Sequence, residues 1–286
     1  MQVLLEVKIT SGLAKTGKKG RETMFTIKNH IMVKSLDEAY KLIQERGSVI
    51  LGGIMWLKMG NRKIENAIDL SALSIDRIDE DEKSFTIGAM TSLREVEVHE
   101  GLNSYFDGYL AKAVQGIVGV QFRNGATMGG SVASKLGFSD VITSLLALNT
   151  ELEFAHEGRL PLKDYLEMKP IKDVLVRIII KKDGRKAAYE TVRKSATDFP
   201  ILASAVSYND GLWSVVLGAR PGVAKRMDFM GGAHLPEQEM EEMLNKMMEE
   251  MTFGTNYLGS QEYRSMLAKV LTKRNVEKIS GGYHGN

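Results

Sequence analysis

Along the chain the apolar positions alternate between a period of two and a period of three to four, and each switch marks an element. FTIKNHIMV (25–33) alternates as a strand does. Ser35 then stands as an N-cap, and LDEAYKLIQER sets Leu36, Ala39, Leu42 and Ile43 on one helical face. Gly47 stops that helix, and SVILGG reads as a short buried strand running into two glycines. NAIDLSAL, IDRIDEDEKS and FTIGAM read as a strand, a charged turn and a strand. TSLREVEVHEGL reads as one helix capped by Thr91 or Ser92. DGYLAKAVQGI places Leu110, Ala113, Val114 and Ile117 at helical spacing, and FSDVITSLLALN is a helix capped by Ser139 or Asp140. ELEFA and RLPLKDYL return to strand and loop. From about Val174, the segments VLVRIIIKK, KAAYETVRK, ILASAVSYND and LWSVVLGAR suggest a separate antiparallel sheet. Two helices follow. In the first, Met240, Met243, Leu244, Met247, Met248 and Met251 form a stripe that reads as a buried face in preference to a partner-binding one; the second, SQEYRSMLAKVLTKRNVEKI, is amphipathic.

Composition narrows the chemistry. With 38 basic and 36 acidic residues the net charge is +2, so no global field recruits nucleic acid or an anionic membrane. The longest apolar stretches, such as VITSLLAL, fall far short of the roughly 20 residues that span a bilayer, and the N-terminus lacks a secretory core. A cytoplasmic protein is expected. The cysteine count is zero, which excludes disulfides, thiolate zinc sites and cysteine-ligated iron–sulfur clusters within this chain. Its five histidines are scattered without ligand spacing, so no metal site is expected. Any electron traffic through this polypeptide therefore needs an organic cofactor.

Two glycine-rich stretches stand out, LGGIMW (51–56) and GATMGGSVA (125–133). Glycine clusters mark either tight turns or places where a ligand lies against the main chain, and turn chemistry alone leaves both readings open. Under the second reading the two stretches grip the two phosphates of one dinucleotide with backbone N–H groups. The nicotinamide-type fingerprint G-x-G-x-x-G is absent. GLAKTGKK (12–19) approaches a phosphate loop but ends in Lys19 where magnesium binding needs a hydroxyl, so residues 1–23 read as a basic extension.

The run GIVGVQFRNGATMGGSVASKLGFSDVITSLLALNTELEF (116–154) resembles the flavin-binding segment of the FAD subunits of molybdenum hydroxylases, the xanthine dehydrogenase and carbon monoxide dehydrogenase family. That family's pattern runs R-N-x-x-T-[IV]-G-G-N-[IL]-x-x-x-x-P-x-x-D, and Arg123, Asn124, Thr127, Gly129, Gly130 and Asp140 stand at its spacing. VILGGIMWLK, IGAMTSLREVE, VRKSATDFPILASAV and YLGSQEYRSMLAKVLTKRNVEKI resemble further family segments in the same order. The resemblance implies an α+β fold: an FAD-binding PCMH-type domain (24–181) of the vanillyl-alcohol-oxidase kind, made of two α+β subdomains, then a small α+β C-terminal domain (185–286) of the CO dehydrogenase flavoprotein type. It implies that Val49, Ile50, Leu51, Gly52, Gly53, Ile54, Met55 and Trp56, with Thr127, Met128, Gly129, Gly130 and Ser131, line the pyrophosphate and ribityl chain. Asp140 would accept hydrogen bonds from cofactor hydroxyls, and Leu175 would give an apolar backbone contact. Ile54, Met55 and Ser131 depart from the family's usual polar residues, Gly137 or Phe138 stands where proline is usual, and Glu190 sits near a position often held by lysine. The implied role is electron transfer through FAD to NAD or another acceptor. The implied partners, as separate chains, are a molybdopterin-binding large subunit and a 2Fe-2S small subunit. The alternatives are a flavin-free structural or assembly subunit and a stand-alone flavin oxidase.

Overall fold

The structure, a computed structural model, describes residues 25–281. The extension 1–23 and its phosphate-loop look-alike lie outside the described residues. The described residues open with strand β1 (Thr26–Met32), helix α1 (Leu36–Gln44) and strand β2 (Ser48–Leu51), followed by β3 (Lys63–Asp69). The three strands form a parallel sheet in the order β1-β3-β2. Ser35 caps α1 as its side chain promises, accepting from the Glu38 amide at 3.1 Å.

A second, antiparallel sheet of five strands has the order β4-β5-β8-β6-β7. Its members are β4 (Ile78–Glu80), β5 (Ser84–Gly88), β6 (Thr150–Phe154), β7 (Gly158–Pro161) and β8 (Leu175–Lys181). Two expectations change here. The charged stretch 75–84 contains the short strand β4 and is not all turn. The apolar strand at 175–181 does not join the C-terminal sheet: it lies between β5 and β6, where near-continuous Leu, Val and Ile suits a strand covered on both faces.

Between β5 and β6 the chain runs through six short helices: α2 (Leu93–Val98), α3 (Glu100–Tyr105), α4 (Tyr109–Gln115), α5 (Val120–Gly125), α6 (Met128–Ala133) and α7 (Asp140–Ala147). The single helix expected over 91–102 is two. His99 leaves helical geometry at ψ 116°, and its Nδ1 accepts from the Leu102 amide at 3.1 Å, so it caps a new helix. Ser92 and Glu95 form the reciprocal capping box that starts α2. After β7, Leu162–Glu167 turns helical as α8 where strand and loop were expected.

Strands β9 (Lys186–Arg193), β10 (Pro200–Asn209), β11 (Leu212–Gly218) and β12 (Lys225–Met230) make a four-stranded antiparallel meander, order β12-β11-β10-β9. Helix α9 (Glu237–Glu250) and helix α10 (Gln261–Ile279) follow. The methionine stripe is core: Met240, Met243, Met247 and Met251 are buried together with Leu244. α10 packs on β9 and β10. Its Arg264 is fully buried and donates to the carbonyls of Ile201 at 2.8 Å, Gly254 at 2.7 Å and Gly259. A charge so placed persists because its donors are matched.

Helix α7 joins the two halves. All eight of its residues are buried, and it packs on β10 and β11 of the meander. The approach is close because Gly218 carries no side chain: a Cβ there would overlap Thr143 Oγ1. Gly218→Ala is therefore expected to cost about 1–3 kcal/mol by overpacking, and adding Thr143→Ala to restore more than half of that loss. Urea denaturation of the two single variants and the pair measures the coupling; strictly additive losses would contradict the contact.

Candidate flavin site

The first glycine stretch follows directly from β2. Val49, Ile50 and Leu51 pair with Ala67, Ile68 and Asp69 of β3, which aims the chain outward at Gly52. Gly53 takes φ +70°, and Ile54 follows at φ +50°, a left-handed conformation that a β-branched side chain adopts only under local constraint. The Lys58 amide closes the turn on Ile54 O at 3.0 Å. Among the described residues, the amides of Gly52 to Trp56 have no protein acceptor, so the loop presents a row of unspent donors.

The second stretch is more ordered than a turn. Thr127 bridges to Ser92, its hydroxyl accepts from the Gly130 amide at 3.2 Å, and the residues from Met128 run on as α6. The amides expected to cradle a phosphate are already committed. Met128 N donates to Thr91 O at 2.9 Å, Gly129 N to Ala89 O at 2.8 Å and Ser131 N to Thr127 O at 3.0 Å. Ser131 Oγ likewise donates to Thr127 O at 2.8 Å. Gly129 is required by packing, since a Cβ would stand 2.7 Å from Ala89 Cβ.

The two stretches meet. A Cβ on Gly52 would lie 3.0 Å from Thr127 Oγ1 and 3.1 Å from Gly130 Cα; one on Gly130 would lie 2.8 Å from Gly52 O; one on Gly53 would overlap Gly125 O. Two bare backbones thus pack directly against each other with no room for a side chain, next to first-loop amides that have no acceptor among the described residues. That arrangement fits an anionic dinucleotide linker, with Gly52–Trp56 as donors and Thr127 Oγ1 adjoining. Met55 rests its sulfur beside Gly125, where a Cβ would stand 3.0 Å away, so its departure from a polar residue is used in closing the two loops together.

The remaining expected residues sit apart from this pair of loops in different ways. Leu175 is buried at the start of β8, the strand on which α6 packs. Asp140 is buried at the first turn of α7, and its Oδ1 accepts from Arg193 Nη2 at 2.7 Å and from the Tyr189 hydroxyl, both on β9. Burial pushes the Asp140 carboxyl above its usual range, against the pull of Arg193, and burial raises the Tyr189 phenol as well. Asp140 therefore ties α7 to the meander before any cofactor hydroxyl is considered. Glu190 does not present an uncompensated charge: Lys112 of α4 donates to it at 2.5 Å. No sequence signal links positions 78 residues apart, so this neutralisation was not legible beforehand.

Arg123 of the motif is an anchor. It is 5 % exposed, donates through Nε to Glu97 Oε2 at 2.8 Å and through Nη2 to Oε1 at 3.0 Å, and adds a bond from Nη1 to Ile117 O at 3.1 Å. This bidentate pair fixes α5, and hence the start of the second stretch, onto α2. Burial disfavours the Glu97 carboxylate, yet Arg123 and Arg94 together hold it below its ordinary value of 4.5. A carboxylate depressed in the folded state contributes stability above its unfolded pKa, and that contribution is lost as pH falls through the folded value. Glu97→Gln is expected to cost about 1–3 kcal/mol at neutral pH and to flatten the fall in stability below pH 4.5. Thermal unfolding across pH 3–7 of both proteins checks the sign; parallel curves would remove Glu97 from the acid response.

A family profile described as the FAD binding domain in molybdopterin dehydrogenase matches residues 24–182. The chain is similar in fold to a carbon monoxide dehydrogenase structure from Hydrogenophaga pseudoflava, with TM-score 0.80 and 20% identity over 89% of this chain and 97% of that one. It is also similar to a quinoline 2-oxidoreductase structure from Pseudomonas putida 86, with TM-score 0.77 and 18% identity over 91% and 98%. A reconstituted CO dehydrogenase from Oligotropha carboxidovorans gives TM-score 0.79 at 21% identity, over 90% and 99%. An uncharacterised Escherichia coli protein, YgfM, is 31% identical over 144 residues, which is 50% of this chain and 54% of YgfM, so the match spans about half of that relative. The α+β architecture, the facing glycine loops and the match across more than half of its length agree, and the chain belongs to the family of FAD-binding domains of molybdopterin dehydrogenases.

Proposed function

We propose that this chain is the FAD-carrying electron-transfer subunit of a molybdenum-dependent hydroxylase, with the flavin domain in 24–181 and a smaller domain in 185–286. The observation that carries the reading is the meeting of Gly52 and Gly53 with Gly125 and Gly130, beside a loop whose amides lack partners among the described residues. Bound FAD supplies the ability to take electrons one at a time and release them as a pair. The chain's own residues bind and orient it. The amides of Gly52 to Trp56 would donate to the linker phosphates, with Thr127 and the bare Gly130 packed beside them and Val49 to Leu51 anchoring the loop to the sheet. Met128, Gly129 and Ser131 hold the second loop in place through their own hydrogen bonds, and Asp140, beyond its bonds to Arg193 and Tyr189, would have acceptor capacity left for a cofactor hydroxyl. Lys112 offsets the negative charge of Glu190, and Leu175 backs the wall from β8. The electron source is a 2Fe-2S small subunit fed by a molybdopterin-binding large subunit, and the acceptor is NAD or another oxidant, in the manner of xanthine dehydrogenase. With zero cysteines, this chain relies on partners for the iron–sulfur relay.

A second reading, a flavin-free assembly subunit, is favoured by one observation: the amides of Met128, Gly129 and Ser131 are satisfied internally and Asp140 is held by Arg193 and Tyr189. Reconstitution separates the two. The purified chain is expected to bind FAD in an equimolar, dialysis-resistant complex with visible flavin absorption. Gly52→Ala, whose Cβ would press on Thr127 Oγ1 and Gly130 Cα and displace the donor loop, is expected to weaken that binding at least tenfold with a small change in Tm. A wild-type chain that stays colourless with excess FAD would establish the second reading instead.

A further inference from the structure

Helix α10 reads from its sequence as amphipathic, yet its outer face is not the polar one that such a helix would present. Its inner face, with Ala268, Leu271, Val276 and Ile279, is buried in the core shared with the meander and α9. On the outer side Tyr263, Met266 and Val270 are 42%, 66% and 44% exposed. Single exposed apolar side chains are ordinary, but three on consecutive turns of one helix make a continuous stripe. Glu262, Met266, Val270 and Arg274 are all exposed and stand four residues apart, so they form one i, i+4 ridge. Such ridges are the rows that helices set into each other's grooves when they cross at about 50°.

The ridge carries opposite charges at its two ends. Glu262 stands about one turn before Met266 and Arg274 about one turn after Val270, and among the described residues neither has an ion-pair partner. A row that runs acid, apolar, apolar, base is complementary to itself when a second copy lies antiparallel. Met266 then meets Val270 of the copy, and Glu262 meets Arg274 at both ends of the two-fold. A copy laid parallel and in register would set like charges together. The same surface thus serves both partners, which is the isologous arrangement of a closed dimer.

We propose that the ridge Glu262–Met266–Val270–Arg274, flanked by Tyr263, is the interface through which two copies of this chain pair about a two-fold axis. Its place in the fold leaves the glycine loops clear. Along β10, Leu202 and Val206 belong to the core under α10, whereas Ala203 and Ala205 belong to the core that holds α7. Because side chains alternate along a strand, α7 and α10 cover opposite faces of the meander. The glycine loops lie in the half that α7 joins, so pairing through α10 keeps them open. This inference stands independently of the FAD reading.

Sedimentation equilibrium of the purified full chain tests the pairing. A reversible monomer–dimer equilibrium is expected, with a dissociation constant of about 1–100 μM for an interface this small. Met266→Glu, which buries an unpaired charge at the centre, is expected to weaken pairing by about tenfold or more. Glu262→Arg and Arg274→Glu are each expected to weaken it about tenfold, because each turns two attractive contacts per dimer into two repulsive ones. Mixing those two variants restores opposite charges at both ends, so the mixture is expected to pair within about threefold of wild type although each variant alone pairs poorly. The substituted positions are exposed, so Tm is expected to stay at its wild-type value. A wild-type chain that stays monomeric up to about 200 μM overturns the proposal. So does a dimer that none of these substitutions weakens, or a mixture that pairs no better than its two components. A monomer whose Met266→Glu variant loses a copurifying polypeptide gives the face to a different partner and overturns it as well.

Discussion

The structure depends on helix α7 being buried along its whole length with both ends satisfied by the meander. At its N-terminus Asp140 receives Arg193 and Tyr189. At its C-terminus Ala147 O receives Arg185 Nη1 at 3.0 Å and Ser207 Oγ at 2.5 Å, and Leu146 O receives Arg226 Nη1 at 3.2 Å. The signs follow the helix dipole, an acid at the positive end and guanidinium groups at the negative end. A helix packed this deeply would otherwise leave terminal carbonyls without water or partner, an expensive condition. Burial and capping thus require each other, and together they fix how the meander sits against the flavin-binding half.

That placement reaches the site through short covalent links. Arg193, which holds Asp140, is six residues before Phe199, and Phe138 precedes Asp140 by two. The helix that joins the halves therefore also positions Phe138 and Phe199, which pack against Trp56 at the end of the first glycine loop. On the other side, the Arg123–Glu97 pair fixes α5, and the mutual approach of Gly53 and Gly125 fixes the first loop against it. Ile54 holds a left-handed backbone between the end of β2 and the turn that the Lys58 amide closes on its carbonyl.

Electrostatics at the site are quieter than the sequence suggested. Glu190, placed where the family often carries lysine, is paired with Lys112. The loss of hydroxyl side chains at positions 54 and 55 leaves the backbone as the donor set, and backbone donors are the ones the first loop leaves free. Neither change removes the physical requirements for holding a diphosphate.

Periodicity alone determined much of the element list. The cap at Ser35, the capping box at Ser92 and Glu95, the buried methionine stripe and three of the four strands of the meander follow from interactions within a few residues, whereas β12 (Lys225–Met230) carried no such mark. The spacing of Arg123, Asn124, Thr127, Gly129, Gly130 and Asp140 was sufficient to point to the flavin family. Tertiary structure decided what neighbouring residues could not. β8 went to the middle sheet, since an apolar strand carries no mark of which partners cover it. GATMGGSVA became a helix start with committed amides, since Ala89 and Thr91 supply acceptors from a distant strand end. Asp140 and Glu190 acquired counter-charges from 53 and 78 residues away. Local pattern encodes local hydrogen bonding, whereas the partner of a buried charge and the neighbour of a bare glycine are fixed only when the chain is packed.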